Sequence, residues 1–105
     1  MNIYICSAYI DVSTECDQIK IKSIMEDNTG IFEIWKEIYP ENLTAVGSED
    51  LDKLKGKNYT LYVSTKKISN TRHHYFYAVY TANFYDAYEW LFSKLLQNYK
   101  SMKGD

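Results

Sequence analysis

Several features that would assign this chain to a specialised class of protein are scarce or missing. It has one proline, four glycines and two cysteines, and its apolar runs fall well short of the roughly 20 residues that span a bilayer. Its first residues lack the basic leader and the small-residue cleavage site of a signal peptide. The sequence therefore predicts a cytoplasmic protein that has no membrane partner.

The two cysteines are expected to be free thiols. Cys6 lies within a predicted strand and Cys16 in the loop after it, about 20 Å away at roughly 3.3 Å per strand residue. A disulfide requires Cα atoms within about 7 Å. A zinc site would need four converging ligands, and the spacing of the available residues matches no zinc-finger pattern. Those residues are Cys6, Cys16, His73 and His74. We therefore expect no metal and no cofactor.

The motifs that identify common enzymes are also missing. The chain has no glycine-rich phosphate loop, no nucleophile elbow and no HExxH motif. The sequence accordingly favours a protein that is not an enzyme. A histidine-assisted phosphodiesterase, in which His73 or His74 would act on a phosphate, is the third-ranked hypothesis.

What the chain does contain is an ordinary globular composition with an excess of tyrosine. Apolar residues make up 46% of the sequence, which is enough for one folded domain over residues 1–105. Eleven residues are tyrosine, more than a core of this size needs, and tyrosine is enriched at protein interfaces. The abundant Lys, Ile, Tyr and Asn all have AT-rich codons, which indicates a gene from a low-GC bacterium or its mobile elements.

The spacing of apolar residues predicts four strands and two main helices. Strands are predicted over 2–12, 18–25, 58–65 and 73–81, main helices over 30–39 and 84–102, and a short helix over 49–55. Residues 2–12 are apolar on both alternating faces, which is typical of a central strand. Neighbouring strands usually pair antiparallel, and the helices are expected to cover one sheet face. The predicted fold is α+β, a four-stranded mainly antiparallel sheet packed by two main helices, in the order ββα(α)ββα.

The predicted helices have identifiable ends and apolar faces. Pro40 should end the first helix, because proline disfavours helical geometry in the residue before it. The first helix is predicted to bury Ile31, Ile34, Trp35 and Ile38. The C-terminal helix should begin after Asn83 and bury Phe84, Tyr88, Leu91, Leu95 and Met102. It also carries Trp90, Leu96 and Tyr99 outside that stripe, so we expect a homodimer formed through this helix.

The strand over 73–81 places its two histidines on opposite sides, because side chains alternate along a strand. His73 shares one face with Tyr75 and Tyr77, and His74 shares the other with Phe76 and Tyr80. Phe76 and Tyr80 are expected to lie against the helices, while Tyr75 and Tyr77 stay partly exposed.

Charge is segregated along the chain. Residues 26–52 contain eight carboxylates and one lysine, whereas residues 53–105 contain nine basic residues and three carboxylates. The leading hypothesis is a small interaction protein whose acidic and tyrosine-rich surfaces dock on a host protein or nucleoprotein enzyme. Its most specific form is a phage or mobile-element inhibitor of a nucleic-acid enzyme, of the anti-defence or anti-CRISPR type. The predicted partner-binding residues are Glu33, Glu37, Glu41, Glu49, Asp50, Asp52, Tyr75 and Tyr77.

The second hypothesis is a module that binds a nucleotide or single-stranded RNA through the basic hairpin 66–74. Cations beside aromatic rings are what single-strand binders use to hold phosphates and stack bases. The candidate residues are Lys66, Lys67, Arg72, His73, His74 and Tyr75. Direct nucleic-acid binding ranks second because the chain is acidic overall, with a formal net charge of −2.

Overall fold

In a computed structural model that describes residues 1–43 and 58–104, the chain forms one four-stranded antiparallel sheet and two helices. The elements are β1 (Asn2–Val12), β2 (Asp17–Glu26), α1 (Ile31–Ile38), a 3-10 helix (Pro40–Asn42), β3 (Tyr59–Lys67), β4 (Arg72–Thr81) and α2 (Phe84–Met102). This confirms the predicted α+β fold and the order of its main elements. The short helix predicted over 49–55 lies outside the described residues. Within the described ranges, no helix is long and apolar enough to cross a membrane.

The strand order is β2-β1-β4-β3, so β1 and β4 are central and β2 and β3 are the two edges. β1 contributes to a core on each of its two faces, as its double-sided apolar pattern predicts. Its residues Cys6 and Ile10 belong to the core beneath α2, whereas Ile5 belongs to a second core beside α1. The two helices therefore lie on opposite faces of the sheet, and the expectation that both cover one face is wrong.

The core beneath α2 is built on a stripe of small and branched side chains. Ala87, Leu91 and Leu95 are fully buried against β1 and β4. Asn83 caps the helix as predicted, since its side chain accepts a hydrogen bond from the backbone N–H of Asp86 at 3.0 Å.

Several residues that were expected in the helix cores are on the surface instead. Phe84 and Tyr88 of α2 are 47% and 44% exposed, because the small Ala87 marks the line along which the helix approaches the sheet. On α1, Ile34 and Ile38 are exposed, and Phe32 is the residue that is buried. The predicted burial of these four residues is therefore wrong.

α1 is short and covers only one end of its sheet face. The Asp27 carboxylate accepts hydrogen bonds from the backbone N–H groups of Ile31 and Phe32, which fixes the start of the helix. The helix ends at Ile38, before Pro40, as predicted. Its core uses the residues of β1 and β4 at that end of the sheet, and within residues 1–43 and 58–104 no helix covers the other end of the face.

Candidate functional site

The open end of the α1 face carries aromatic and basic side chains in one row across all four strands. The successive cross-strand partners are Lys20, Tyr9, His74 and Lys66. Side chains of directly opposed residues share a face of the sheet. Arg72 and Phe76 flank His74 on β4, two residues away on either side, and therefore point to the same face. We call these six residues the sheet platform.

The rings of the sheet platform contact one another closely. Tyr9 and His74 stack with ring centroids 5.5 Å apart and an interplanar angle of 28°. The guanidinium carbon of Arg72 lies 4.6 Å from the centroid of the Tyr9 ring, within the range of a cation–π contact. Arg72 Nε is buried and has no hydrogen-bond partner in the described parts of the chain. The platform thus combines stacked rings with a cation that has an unused donor.

Phe76 extends the aromatic surface toward α1. Its cross-strand partners, Ser7 and Ser64, are small, and its side chain is half-buried. The ring lines a groove of about 500 Å³ between the sheet and α1. On the far side of that groove Trp35 and Tyr62 pack with centroids 4.5 Å apart. This volume lies within the range of about 300–1,000 Å³ that is typical of small-molecule sites.

Burial and neighbouring cations keep His74 uncharged at neutral pH. Burial is the main cause that lowers its pKa below the ordinary 6.5, and Arg72, Lys22 and Lys66 lower it further. Lys22 is the extra residue of a β-bulge opposite Ser7, the kind of irregularity that redirects a side chain. An uncharged imidazole can stack and can either donate or accept a hydrogen bond.

One carboxylate lies at the end of the platform. Asp11 is the cross-strand partner of Arg72 and is 7% exposed. The backbone N–H of Ser13 donates to its Oδ1 at 3.0 Å, and this hydrogen bond, more than the charge of Arg72, holds the pKa of Asp11 below its ordinary range. Within residues 1–43 and 58–104, the charged side chains that oppose or contact the rings or lower the pKa of His74 are the cations Lys20, Lys22, Lys66 and Arg72.

Tyr75 and Tyr77 are core residues, and their expected exposure is wrong. They are 6% and 4% exposed, because the long helix α2 covers their face of β4. Asn98 Nδ2 donates to the Tyr77 hydroxyl at 3.3 Å, and the Tyr75 hydroxyl donates to Met102 Sδ at 3.7 Å. Burial raises the pKa of Tyr77 to about 12. α2 therefore covers both side chains, and partner binding through them stays a prediction.

The predicted basic hairpin is divided between the two faces of the sheet. His73 and His74 point to opposite sides, as expected. Lys67 is the cross-strand partner of His73, whose Nδ1 lies 3.4 Å from the Tyr75 hydroxyl. Of the six predicted nucleotide-binding residues, three belong to the sheet platform: Lys66, Arg72 and His74. The other three do not: Lys67, His73 and Tyr75. The two histidines cannot act on one phosphate, so the phosphodiesterase hypothesis remains only in a form that uses one of them.

Three of the six acids of the predicted acidic surface lie within the described residues. Glu33 and Glu37 on α1 and Glu41 in the 3-10 helix are exposed, and Glu33 forms a 3.2 Å ion pair with Lys36. The other three predicted acids lie outside the described residues: Glu49, Asp50 and Asp52. Docking through this surface stays a prediction.

The cysteines are free, as expected. Cys6 is fully buried, and its burial raises the pKa of its thiol to about 12. Cys16 lies in the turn between β1 and β2, where its Sγ accepts a hydrogen bond from Gln18 Nε2. In residues 1–43 and 58–104, no group of three or more His, Cys, Asp or Glu side chains could hold a metal ion.

Sequence reasoning missed Tyr9 and Phe76 as site residues. The alternation of β1 and β4 gave the face of each ring, but their meeting depends on the register that pairs Tyr9 with His74. It also missed the exposed aromatics of α2.

Comparisons with protein-family models, curated proteins and solved structures find no match to this chain. The functional proposal therefore rests on the chain's own residues.

Proposed function

We propose that the protein binds single-stranded nucleic acid on the sheet platform, with bases stacked on its rings and phosphates held by its cations. The observation that carries this proposal is the cross-strand row in which stacked Tyr9 and His74 stand between Lys20 and Lys66. Stacking on such rings accepts any base, because every base has an aromatic face. Cations on both sides of the rings are placed to meet the phosphates that flank a stacked base.

The ligand is an unpaired strand because base faces are accessible only outside a duplex. A-form duplexes present grooves and backbone to a protein, and their bases are stacked on one another. Rings such as Phe76 and His74, about 7 Å apart on one strand of a sheet, can each receive one splayed base. The groove between Phe76 and Trp35 offers a place for the next base along the strand.

The acidic net charge does not oppose this proposal, because the charges near the platform are mainly positive. Lys22 and Lys66 both lie close enough to His74 to lower its pKa. Phosphate contacts respond to local charge, since interactions between exposed charges are screened within about 8–10 Å at physiological salt.

The test is fluorescence anisotropy with a labelled ten-nucleotide oligouridine, the matching oligothymidine and a hairpin duplex. We expect saturable binding of the single strands and weaker binding of the duplex. Phe76→Ala should weaken binding about 5- to 150-fold, the range for loss of one stacked base at about 1–3 kcal/mol. Three phosphate contacts, at Lys20, Lys66 and Arg72, predict a slope of log K against log salt near −2.

Tyr85→Ala is the matched control for this experiment. Tyr85 is 77% exposed, but it stands on α2, on the opposite side of the sheet from the platform. Its substitution removes an accessible aromatic ring and should leave oligonucleotide affinity unchanged. Equal binding of duplex and single strand, or an unchanged affinity in Phe76→Ala, would contradict the proposal.

A second candidate function is docking on a protein, as the leading sequence hypothesis expects. It is favoured by the exposed aromatic side chains of α2, since large apolar groups at the surface often mark a protein contact. The exposed acids Glu33, Glu37 and Glu41 agree with a basic partner. The test is inhibition of a purified host nucleic-acid enzyme by stoichiometric protein, with and without substitution of these acids.

A further inference from the structure

The outer edge of β2 opens into a groove beside α2. β2 ends the sheet order, and within the described residues no strand pairs with its outer edge. The groove has a volume of about 470 Å³ and is lined by all six residues of β2 from Ile19 to Ile24. Because successive strand residues point to opposite faces, a groove lined by all of them follows the edge of the strand. We call it the edge groove.

The α2 wall of the edge groove is aromatic. Phe84, Tyr88 and Phe92 follow one another at intervals of four residues, so they share one side of the helix. They are 47%, 44% and 42% exposed. The rings of Tyr88 and Phe92 are nearly parallel, with centroids 6.3 Å apart. These side chains form a contiguous apolar surface next to an unpaired strand edge.

The two faces of β2 differ in chemistry at this edge. Ile19 and Ile21 point toward the core beneath α2. Lys20 and Lys22 are exposed on the other face, where Lys20 opposes Tyr9 and Lys22 lies near His74. A strand added to this edge would therefore present alternate side chains to the aromatic wall and to the two lysines.

We propose that the edge groove binds an extended peptide segment of another protein, in which apolar residues alternate with acidic ones, as a fifth strand of the sheet. The main chain of the segment pairs with the free N–H and C=O groups of β2, which is how peptides join exposed sheet edges. Its apolar side chains cover Tyr88 and Phe92. Its carboxylates face Lys20 and Lys22, so charge complementarity identifies the occupant as acidic.

A second copy of the chain would bring like charges together at the middle of the edge groove. Two β2 strands paired about a twofold axis oppose residues symmetrically around the central residue. Centring the pair on Lys20, Ile21 or Lys22, in the middle of the groove, puts a lysine opposite a lysine, whereas a pair centred on Ser23 puts Lys20 opposite Glu26 at the end of the strand. Like charges directly opposite each other destabilise a strand pair. In the registers that centre the pair on the groove, an acidic strand is therefore favoured over a second β2.

The test uses the intact protein and a blocked, fluorescein-labelled nine-residue peptide in which glutamate alternates with valine. Two comparison peptides have the same composition in two blocks, or lysine in place of glutamate. We expect saturable binding of the alternating acidic peptide, at least about tenfold tighter than either comparison peptide. Hydrogen exchange should show new protection of the backbone N–H groups of β2 when that peptide is bound.

Substitutions on α2 separate the aromatic wall from its surroundings. The double variant Tyr88→Ala and Phe92→Ala should weaken peptide binding about tenfold or more, because both rings lose their contact with the peptide. Tyr85→Ala is the control, since Tyr85 is more exposed yet does not line the groove. Lys22→Glu should reverse the preference between the acidic and the lysine peptide.

N-methylation of the peptide tests strand pairing without altering the protein. Methyl groups on alternate backbone nitrogens block one edge of the peptide, so one of the two methylated sets should lose binding and the other should keep it. Retained binding by both sets, equal binding of acidic and lysine peptides, or no saturation by any of the peptides would overturn the proposal. A dimer seen by light scattering that binds none of the peptides, and that becomes a monomer in the Tyr88 and Phe92 double variant, would assign the groove to a second copy instead.

The two proposals can fail separately. Phe76→Ala removes a ring of the sheet platform and should leave peptide binding unchanged. The Tyr88 and Phe92 double variant should leave oligonucleotide binding unchanged, because both rings lie on the other side of the sheet.

Discussion

Tyr9 and His74 oppose each other across β1 and β4, and their rings stack at 5.5 Å in the middle of a basic row. Because His74 titrates, it makes the charge of the platform dependent on pH. The pKa of His74 is lowered by burial and by Arg72, Lys22 and Lys66, so the free protein holds this ring neutral. A bound phosphate favours the charged imidazolium and raises that pKa.

Oligonucleotide affinity is therefore expected to rise as pH falls from about 7.5 to about 5.5, because binding takes up a proton at His74. A rise of one unit in the pKa of His74 on binding corresponds to a gain of about tenfold in oligonucleotide affinity at low pH. His74→Gln should bind with an affinity that is nearly independent of pH over the same range. Anisotropy titrations at several pH values, at constant ionic strength, measure the oligonucleotide affinity of wild type and of His74→Gln. An identical pH profile in wild type and His74→Gln would show that another group carries the proton.

A second set of contacts joins the C-terminal end of α2 to the first residue of β2. Lys103 Nζ lies 2.6 Å from Asp17 Oδ2, and the Tyr99 hydroxyl donates to Asp17 Oδ1 at 2.8 Å. These contacts hold the last turn of α2 to the start of β2. We expect Asp17→Asn to increase hydrogen exchange in residues 99–104 while exchange in the central strands stays slow.

The Asp17 contacts also have a defined pH window. The hydrogen bonds from Lys103 and Tyr99 hold the pKa of Asp17 below its ordinary 3.8, and the bond to Asp17 raises the pKa of Lys103 above its ordinary 10.5. The stabilisation is therefore full between these two ordinary values, and it is lost as pH falls through the lowered pKa or rises through the raised one. High salt should mimic Asp17→Asn at neutral pH, since both groups are partly exposed.

Substitutions of two neighbouring residues test which side of α2 packs in the core and stabilises the fold. Leu91 is fully buried and Phe92 is 42% exposed. Leu91→Ala should lower the free energy of unfolding by about 2–5 kcal/mol, because it removes buried methyl groups and leaves a cavity. Phe92→Ala should lower it by about 1 kcal/mol or less. Urea denaturation followed by circular dichroism gives both values, and a larger loss in Phe92→Ala would reverse the assignment of the core.

The sequence predicted the elements well because their ends carry local signals. Asn83 caps α2 with its own side chain, and Pro40 prevents the continuation of α1. Both effects act within a few residues, so they can be recognised without tertiary information. The strands likewise follow from alternation in each segment.

The sequence did not predict the layers and surfaces, because these depend on where elements meet. β1 is apolar on both faces, which already requires cover on both sides, yet the helices were expected on one. Ala87 contributes little hydrophobicity to the pattern of α2, but its small size sets the line of closest approach to the sheet. Tyr75 and Tyr77 are buried because α2 is long enough to extend over both of them.

The sheet platform could be anticipated only in part. Lys66, Arg72 and His74 were identified because cations and rings lie close together in the sequence. Tyr9 is far from them in the chain, and only the antiparallel register of β1 and β4 places it opposite His74. A slip of one residue in that register would move the Tyr9 ring to the other face of the sheet.

The last prediction separates the two functions by reversing the exposed acids of α1 and the 3-10 helix. Glu33→Lys, Glu37→Lys and Glu41→Lys together change the formal net charge from −2 to +4 without touching the sheet platform. Because exposed charges act over about 10 Å, this variant should bind oligonucleotides somewhat more tightly at low salt and like wild type at high salt. The measurement is a salt series of anisotropy titrations on both proteins.

Lys66→Glu provides the comparison, because it alters one charge inside the row of cross-strand partners and should weaken binding at every salt concentration tested. If the acids instead dock a basic partner protein, the triple reversal should slow that association, since charges at the rim of an interface act mainly on the rate of encounter. An oligonucleotide affinity that falls in the triple variant and persists in Lys66→Glu would place nucleic-acid binding away from the sheet platform.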